Sequence, residues 1–85
     1  MLSINERKDL IVKMNMVGLH VDQKQLHEFG EYGTVVVEAD QNIKNKISRV
    51  IDISNYNVVV SEIELGEMII TDGSLFEITE EVQNR

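Results

Sequence analysis

Residues 68–78 read Met68-Ile69-Ile70-Thr71-Asp72-Gly73-Ser74-Leu75-Phe76-Glu77-Ile78, and they carry the clearest local fold signal in the chain. Two apolar β-type runs flank an Asp-Gly pair. Asp-Gly favours a two-residue type I′ turn because both of its residues tolerate positive φ. The sequence therefore predicts a C-terminal β-hairpin whose turn is Asp72-Gly73. In that hairpin Ile70 would pair with Leu75, and Ile69 with Phe76.

The β-branched residues concentrate in the same part of the chain. Ile and Val together number 21 among 85 residues, sixteen of these lie in residues 34–85, and Ala39 is the single alanine. β-branched side chains pack well on a pleated sheet and lose rotamer freedom in a helix. We therefore expect an α+β fold, in which two N-terminal helices pack on a small antiparallel β-sheet of three to four strands. One domain should span residues 1–85, with a helical part at 1–33, a mainly β part at 34–79 and a frayed tail at 80–85.

Two capping-box patterns mark the predicted helices. A Ser-x-x-Glu box at residues 3–6 opens the first helix, which should run to about Val17. An Asp-x-x-Gln box at residues 22–25 opens a short second helix, which Gly30 should end.

Three further segments complete the secondary-structure prediction. Residues 34–39 lack alternation, which is typical of a strand buried on both faces. Residues 40–52 fit either a helix or a strand, and we favour a helix at 40–50 followed by extended chain. Residues 59–65 alternate, with Val59, Ser61, Ile63 and Leu65 at odd positions and glutamates at two even positions, so they predict a strand with one exposed acidic face. Gly66 would mark a bulge before the next strand.

The net negative charge belongs entirely to the C-terminal part. Residues 1–49 carry seven acids and seven bases, whereas residues 50–85 carry eight acids and one base, which gives the net charge of −7. A field of this sign repels phosphate backbones and attracts basic surfaces. We expect a basic protein surface as the partner, and neither nucleic acid nor a membrane. The candidate partner-binding residues are Glu62, Glu64, Glu67, Asp72 and Glu77.

Several function classes are disfavoured by composition. The chain has no cysteine, which excludes disulfides, cysteine-based zinc sites and thiol catalysis. His27 and Glu31 have the i, i+4 spacing of metal ligands, but Gly30 lies between them, so we expect no metal and no cofactor. No apolar run approaches the roughly 18 residues of a membrane span. The N-terminus lacks a signal-peptide pattern, and we expect a cytoplasmic location.

The sequence supports three functional hypotheses. The first is a small, acidic, non-enzymatic protein-binding module, an inhibitor or regulator that engages a basic surface, including one that itself binds nucleic acid. Small acidic chains without cysteine are similar in composition to phage accessory proteins. The second is a winged-helix-like, sequence-specific DNA-binding regulator that reads bases with residues 22–29, through Gln23, Lys24, Gln25, His27 and Glu28. The third is a structural subunit of an assembly.

A homodimer is expected as well. Residues 35–37 and 58–60 are two valine triplets, and both would place apolar side chains on both faces of a strand. A monomer of this size can hardly cover all four faces.

Overall fold

The computed structural model describes residues 2–73, which form three helices and one three-stranded antiparallel sheet. The α+β class is therefore confirmed. The elements, in chain order, are α1 (Ile4–Met16), α2 (Gln23–Tyr32), β1 (Thr34–Glu38), α3 (Gln41–Ser54), β2 (Val59–Glu64) and β3 (Glu67–Thr71).

Both predicted capping boxes are confirmed. At the start of α1, the Ser3 side chain accepts from the Glu6 backbone N–H, and the Glu6 carboxylate accepts from the Ser3 backbone N–H. Hydrogen bonding of the Glu6 carboxylate to the Ser3 backbone N–H, and to a smaller extent to the Ser3 side chain, lowers the pKa of Glu6 from its ordinary value of 4.5. Asp22 and Gln25 make the same reciprocal pair at the start of α2.

The predicted end of the second helix was wrong. Helix α2 continues through Gly30 to Tyr32, and Gly33, whose φ is 74°, caps its C-terminal end. An interior glycine costs a helix roughly 0.5–1 kcal/mol relative to alanine. Here Gly30 is buried against α1: its carbonyl accepts from Nη1 of Arg7 at 3.1 Å, and a Cβ at this position would make only ordinary van der Waals contact, 3.4 Å from Cε of Lys8. Tertiary packing therefore overrides the local preference to stop.

The ambiguous segment is a helix, as favoured. Asp40 caps α3 by accepting from the Ile43 backbone N–H at 2.9 Å. The helix does not become extended after residue 50, however, because Ile47 and Ile51 are both buried on the same face. It ends at Asn55, which takes a left-handed conformation with φ 58°.

The sheet has the order β1-β3-β2, so β3 is its central strand. Strands β2 and β3 form a hairpin through Leu65 and Gly66, where Gly66 supplies a positive φ of 81°. The sequence prediction had assigned only a bulge to this glycine. The turn of this hairpin therefore lies at Leu65-Gly66, whereas the sequence predicts a hairpin turn at Asp72-Gly73.

The predicted Asp72-Gly73 hairpin is not confirmed, and its predicted turn conformation is wrong at Asp72. Ile70 pairs with Val35 on one side and with Val60 on the other, so β3 is paired along both of its edges. Within residues 2–73, Asn55 is the one non-glycine residue with positive φ, so Asp72 does not have the type I′ conformation. The second strand of the predicted hairpin, residues 74–78, lies outside the described residues.

The helices cover one face of the sheet. Val35, Val37, Met68 and Ile70 are buried in one cluster with residues of all three helices. Val36, on the opposite face, is 42% exposed. The prediction that β1 is buried on both faces was therefore wrong, because no described element covers its outer face.

Candidate functional site

A β-bulge sends the two glutamates of β2 to opposite faces of the sheet. Glu62 pairs with Met68, a core residue, whereas Glu64 pairs with Glu67, and a register shift lies between them. Directly paired residues share a face. Glu62 is thus on the helix-covered side, at the exposed edge strand, and Glu64 is on the outer face. The predicted parity was wrong for this strand, since Val60 packs on the core and Val59 is exposed.

Three glutamates form a row across one end of the outer face. Glu67 pairs with Glu38 of β1 on one side and with Glu64 of β2 on the other. Strand spacing places neighbouring members of this carboxylate row about 5 Å apart. Glu38 and Glu64 are exposed and Glu67 is partly exposed. Among residues 2–73, no cationic side chain pairs with any of the three.

A polar cleft of about 420 Å³ adjoins the carboxylate row. Glu38 and Glu67 line it together with His20 and Asp22 from the loop between α1 and α2. Asp22 is fixed there by its capping role, because its Oδ1 accepts from the Gln25 backbone N–H at 2.8 Å. The acidic surface therefore extends from the sheet end to the start of α2.

The other predicted site residues are not in this row. Asp72 is buried, and its Oδ2 accepts from Nε of Arg7 at 2.8 Å, so its charge is not available on the surface. Glu77 lies outside the described residues. Of the five candidates, the structure brings together Glu64 and Glu67 and adds Glu38.

Sequence reasoning missed Glu38 because it lies in a strand distant along the chain. One signal could have found it. Antiparallel pairing of residues 34–38 with residues 67–71 places two alternating apolar pairs opposite each other, Val35 with Ile70 and Val37 with Met68. That register also puts Glu38 opposite Glu67.

Gln25 has a structural role that bears on the DNA-binding hypothesis. Its Oε1 accepts from the Asp22 backbone N–H, and its Nε2 donates to the Val36 carbonyl, each at 3.1 Å. Both ends of the amide are thus engaged within the protein. Gln23, Lys24 and His27 remain exposed on α2.

Within residues 2–73, no group of three or more histidine or acidic side chains could hold a metal ion. In the same described range, no helix has both the length and the apolar character needed to cross a membrane. Comparisons of the chain with models of protein families, with curated proteins and with solved structures gave no match.

Proposed function

We propose that this chain is a small non-enzymatic protein-binding module, an inhibitor or regulator, whose carboxylate row binds a basic surface of a partner protein. The observation that carries the proposal is the direct cross-strand pairing of Glu38, Glu67 and Glu64. Like charges placed directly opposite each other destabilise a sheet. A function outside the fold would account for this unfavourable arrangement.

The chemistry of the row favours a lysine- or arginine-rich partner surface. Three carboxylates about 5 Å apart span roughly 10 Å, which matches a small cluster of cationic side chains. Such charges accelerate association by attracting the partner, and salt weakens that attraction, because the Debye length is about 8 Å at physiological ionic strength. Binding should therefore become faster as the salt concentration falls.

The DNA-binding alternative has less support. Lys24 is the one lysine or arginine in α2, and Glu28 and Glu31 lie on the same helix. Gln25, one of the two glutamines suited to reading bases, is held by Asp22 and Val36. The net charge of −7 further opposes approach to a phosphate backbone.

The test is affinity capture with the full chain, followed by charge reversal of the row. The row variant carries Glu38→Lys, Glu64→Lys and Glu67→Lys. The control reverses three acids elsewhere, the exposed Glu31 and Asp52 and the partly exposed Glu28, as Glu28→Lys, Glu31→Lys and Asp52→Lys. In both variants, three changes of +2 move the net charge from −7 to −1.

We expect the row variant to lose at least roughly tenfold in affinity for the captured partner, about 1.4 kcal/mol, and the control to lose little. Equal losses would mean that only the overall charge matters, and an unaffected row variant would place the interface elsewhere. Both results contradict the proposal. A salt-sensitive shift of a DNA duplex by the parent chain would favour the DNA-binding alternative.

A further inference from the structure

An exposed apolar groove lies between the C-terminal end of α1 and the C-terminal half of α3. Its volume is about 580 Å³, and a second cavity of about 260 Å³ shares four of its lining residues. Met16 and Ile53, which border both cavities, are 80% and 84% exposed. We refer to this surface as the α1–α3 groove. Contiguous exposed apolar surface of this kind usually marks a binding site.

The α1–α3 groove has the opposite charge to the chain as a whole. Its charged lining residues within residues 2–73 are all basic, namely Lys13, Lys46 and Arg49. Lys13 pairs with Asp9 at 3.0 Å, whereas Lys46 and Arg49 have no ion pair in the same range. The groove therefore suits an occupant that is both apolar and acidic.

The turn between β2 and β3 has that composition. Leu65 is 97% exposed, the highest value for a large apolar side chain in the described part of the chain. Glu64 and Glu67 lie on either side of it, the first exposed and the second partly exposed. We refer to residues 64–67 as the acidic turn.

The charges of the groove and those of the acidic turn also have matching spacing. Lys46 and Arg49 are three residues apart in α3, which places their Cβ atoms about 5–6 Å apart on the helix surface. Glu64 and Glu67 are directly paired across β2 and β3, with Cβ atoms about 4.5–5.5 Å apart. Ile53 lies one helical turn beyond Arg49. A leucine between two glutamates can therefore contact Ile53 while the glutamates face the two cations.

An apolar projection and a complementary groove on the same molecule make a head-to-tail contact between copies. We propose that the α1–α3 groove binds the acidic turn of a second copy of this chain. In this contact Leu65 packs against Met16 and Ile53, and the two glutamates of the turn pair with Lys46 and Arg49. In a closed dimer, each copy gives its own turn and receives that of its partner.

The contact covers part of the carboxylate row. Glu64 and Glu67 belong to that row, so a self-associated chain cannot present it to another protein. The proposal does not rest on the proposed function, because the groove and the turn are complementary whether or not the row has a further partner. Its test uses the purified chain alone, so its failure would leave the proposed function standing.

Disulfide cross-linking between two single-cysteine variants tests the proposal. The chain has no cysteine, so Ile53→Cys and Leu65→Cys each introduce the single thiol of their chain. The two variants are mixed in equal amounts, one of them isotopically labelled, and a mild oxidant is added. Mass spectrometry then follows the mixed disulfide, which can form only between two molecules.

The control pairs Ile53→Cys with Val12→Cys. Val12 is 51% exposed and lies on α1, outside the groove lining and outside the acidic turn. The neighbouring Lys13 favours the reactive thiolate at this position, so the control is not slower for chemical reasons. Thiols held together in a complex react as if at millimolar concentration, and we expect the Leu65→Cys pair to cross-link at least roughly tenfold faster than the control pair.

A charge swap between the two copies supplies the second arm. Lys46→Glu with Arg49→Glu on the Ile53→Cys chain should slow cross-linking at least roughly tenfold, because like charges then meet in the contact. Glu64→Lys with Glu67→Lys on the Leu65→Cys chain should have the same effect. Mixing the two reversed chains should restore the original rate. Circular dichroism of each variant confirms that the fold is intact.

Overall charge predicts a different order of rates. Two changes of −2 in the groove move the net charge from −7 to −11, and two changes of +2 in the turn move it from −7 to −3. A chain of −7 and a chain of −3 repel each other less than two chains of −7. The proposal nevertheless predicts slower cross-linking for that mixture.

Three results would overturn the proposal. These are equal rates for Leu65→Cys and Val12→Cys, faster cross-linking when only the turn is reversed, and failure of the two reversed chains to restore the rate. The first result would leave the α1–α3 groove to a different protein with an apolar and acidic segment.

Discussion

The buried Arg7–Asp72 ion pair connects three elements of the fold. Nε of Arg7 donates to Oδ2 of Asp72 at 2.8 Å, and the two side chains are 9% and 0% exposed. Nη1 of Arg7 also donates to the carbonyls of Gly30 and Glu31, at 3.1 and 3.2 Å. Asp72 additionally accepts from the Leu2 backbone N–H at 2.9 Å. The start of α1, the end of α2 and the end of β3 therefore meet at one charged pair.

Removing one partner of this pair should be strongly destabilising. Asp72→Asn keeps the size of the side chain but leaves the Arg7 charge buried without its counter-charge, and such a loss costs about 3–5 kcal/mol. An 85-residue domain has a total stability of roughly 4–13 kcal/mol, at 0.05–0.15 kcal/mol per residue. Arg7→Met should cost a similar amount, because it leaves the carboxylate buried.

The double variant should cost much less than the sum of the two single variants. With both charges removed, no uncompensated charge remains, and the coupling free energy should be about 2 kcal/mol or more. Urea unfolding followed by circular dichroism measures all four free energies of the cycle. As a control, Asp9→Asn removes the exposed Lys13–Asp9 pair and should leave the urea midpoint nearly unchanged. Additive losses, or single losses as small as that of Asp9→Asn, would refute the reasoning.

Two further predictions concern the backbone and the assembly. Gly33→Ala should destabilise the fold by at least about 1 kcal/mol more than Gly66→Ala. Both glycines have positive φ. A Cβ on Gly33 would collide with Asp72 and lie 2.7 Å from Nη2 of Arg7, whereas a Cβ on Gly66 would meet no atom within 4 Å. Thermal melting compares the stabilities of the two variants. Light scattering of the parent should give the mass of a homodimer. Val36→Asp, on the uncovered sheet face, should reduce the fraction of dimer. A parent mass of 9.7 kDa, that of the monomer, would contradict the prediction.

The helix starts were predictable because their chemistry is local. A cap needs a side-chain oxygen and a partner three residues later, so the boxes at residues 3–6 and 22–25 could be read from spacing alone. The end of α2 could not be read in this way. Gly30 lies inside the helix, where its carbonyl accepts from Nη1 of Arg7 in α1, a residue 23 positions earlier in the chain.

The type I′ conformation predicted for Asp72 is wrong for a related reason. Asp-Gly is a strong turn signal when its aspartate has only local partners. Asp72 instead has a tertiary partner, Arg7, 65 residues away, which holds it buried at the end of the central strand. Nothing in residues 68–78 indicates that partner. The hairpin in the described sheet has its turn at Leu65-Gly66, between β2 and β3.

The candidate site depends on register, the least local feature of a sheet. A shift of one residue moves a side chain to the other face, and the bulge after Glu62 does this within β2. Strict alternation therefore grouped Glu62 with Glu64, although they face opposite sides. The pairing of β1 with β3 places Glu38 opposite Glu67. These two strands are far apart in the chain, so spacing along the chain does not predict their pairing. Because each member of the carboxylate row comes from a different strand, loss of sheet register would disperse the row. Binding through the row should therefore require the folded sheet, whereas binding through overall negative charge would survive unfolding.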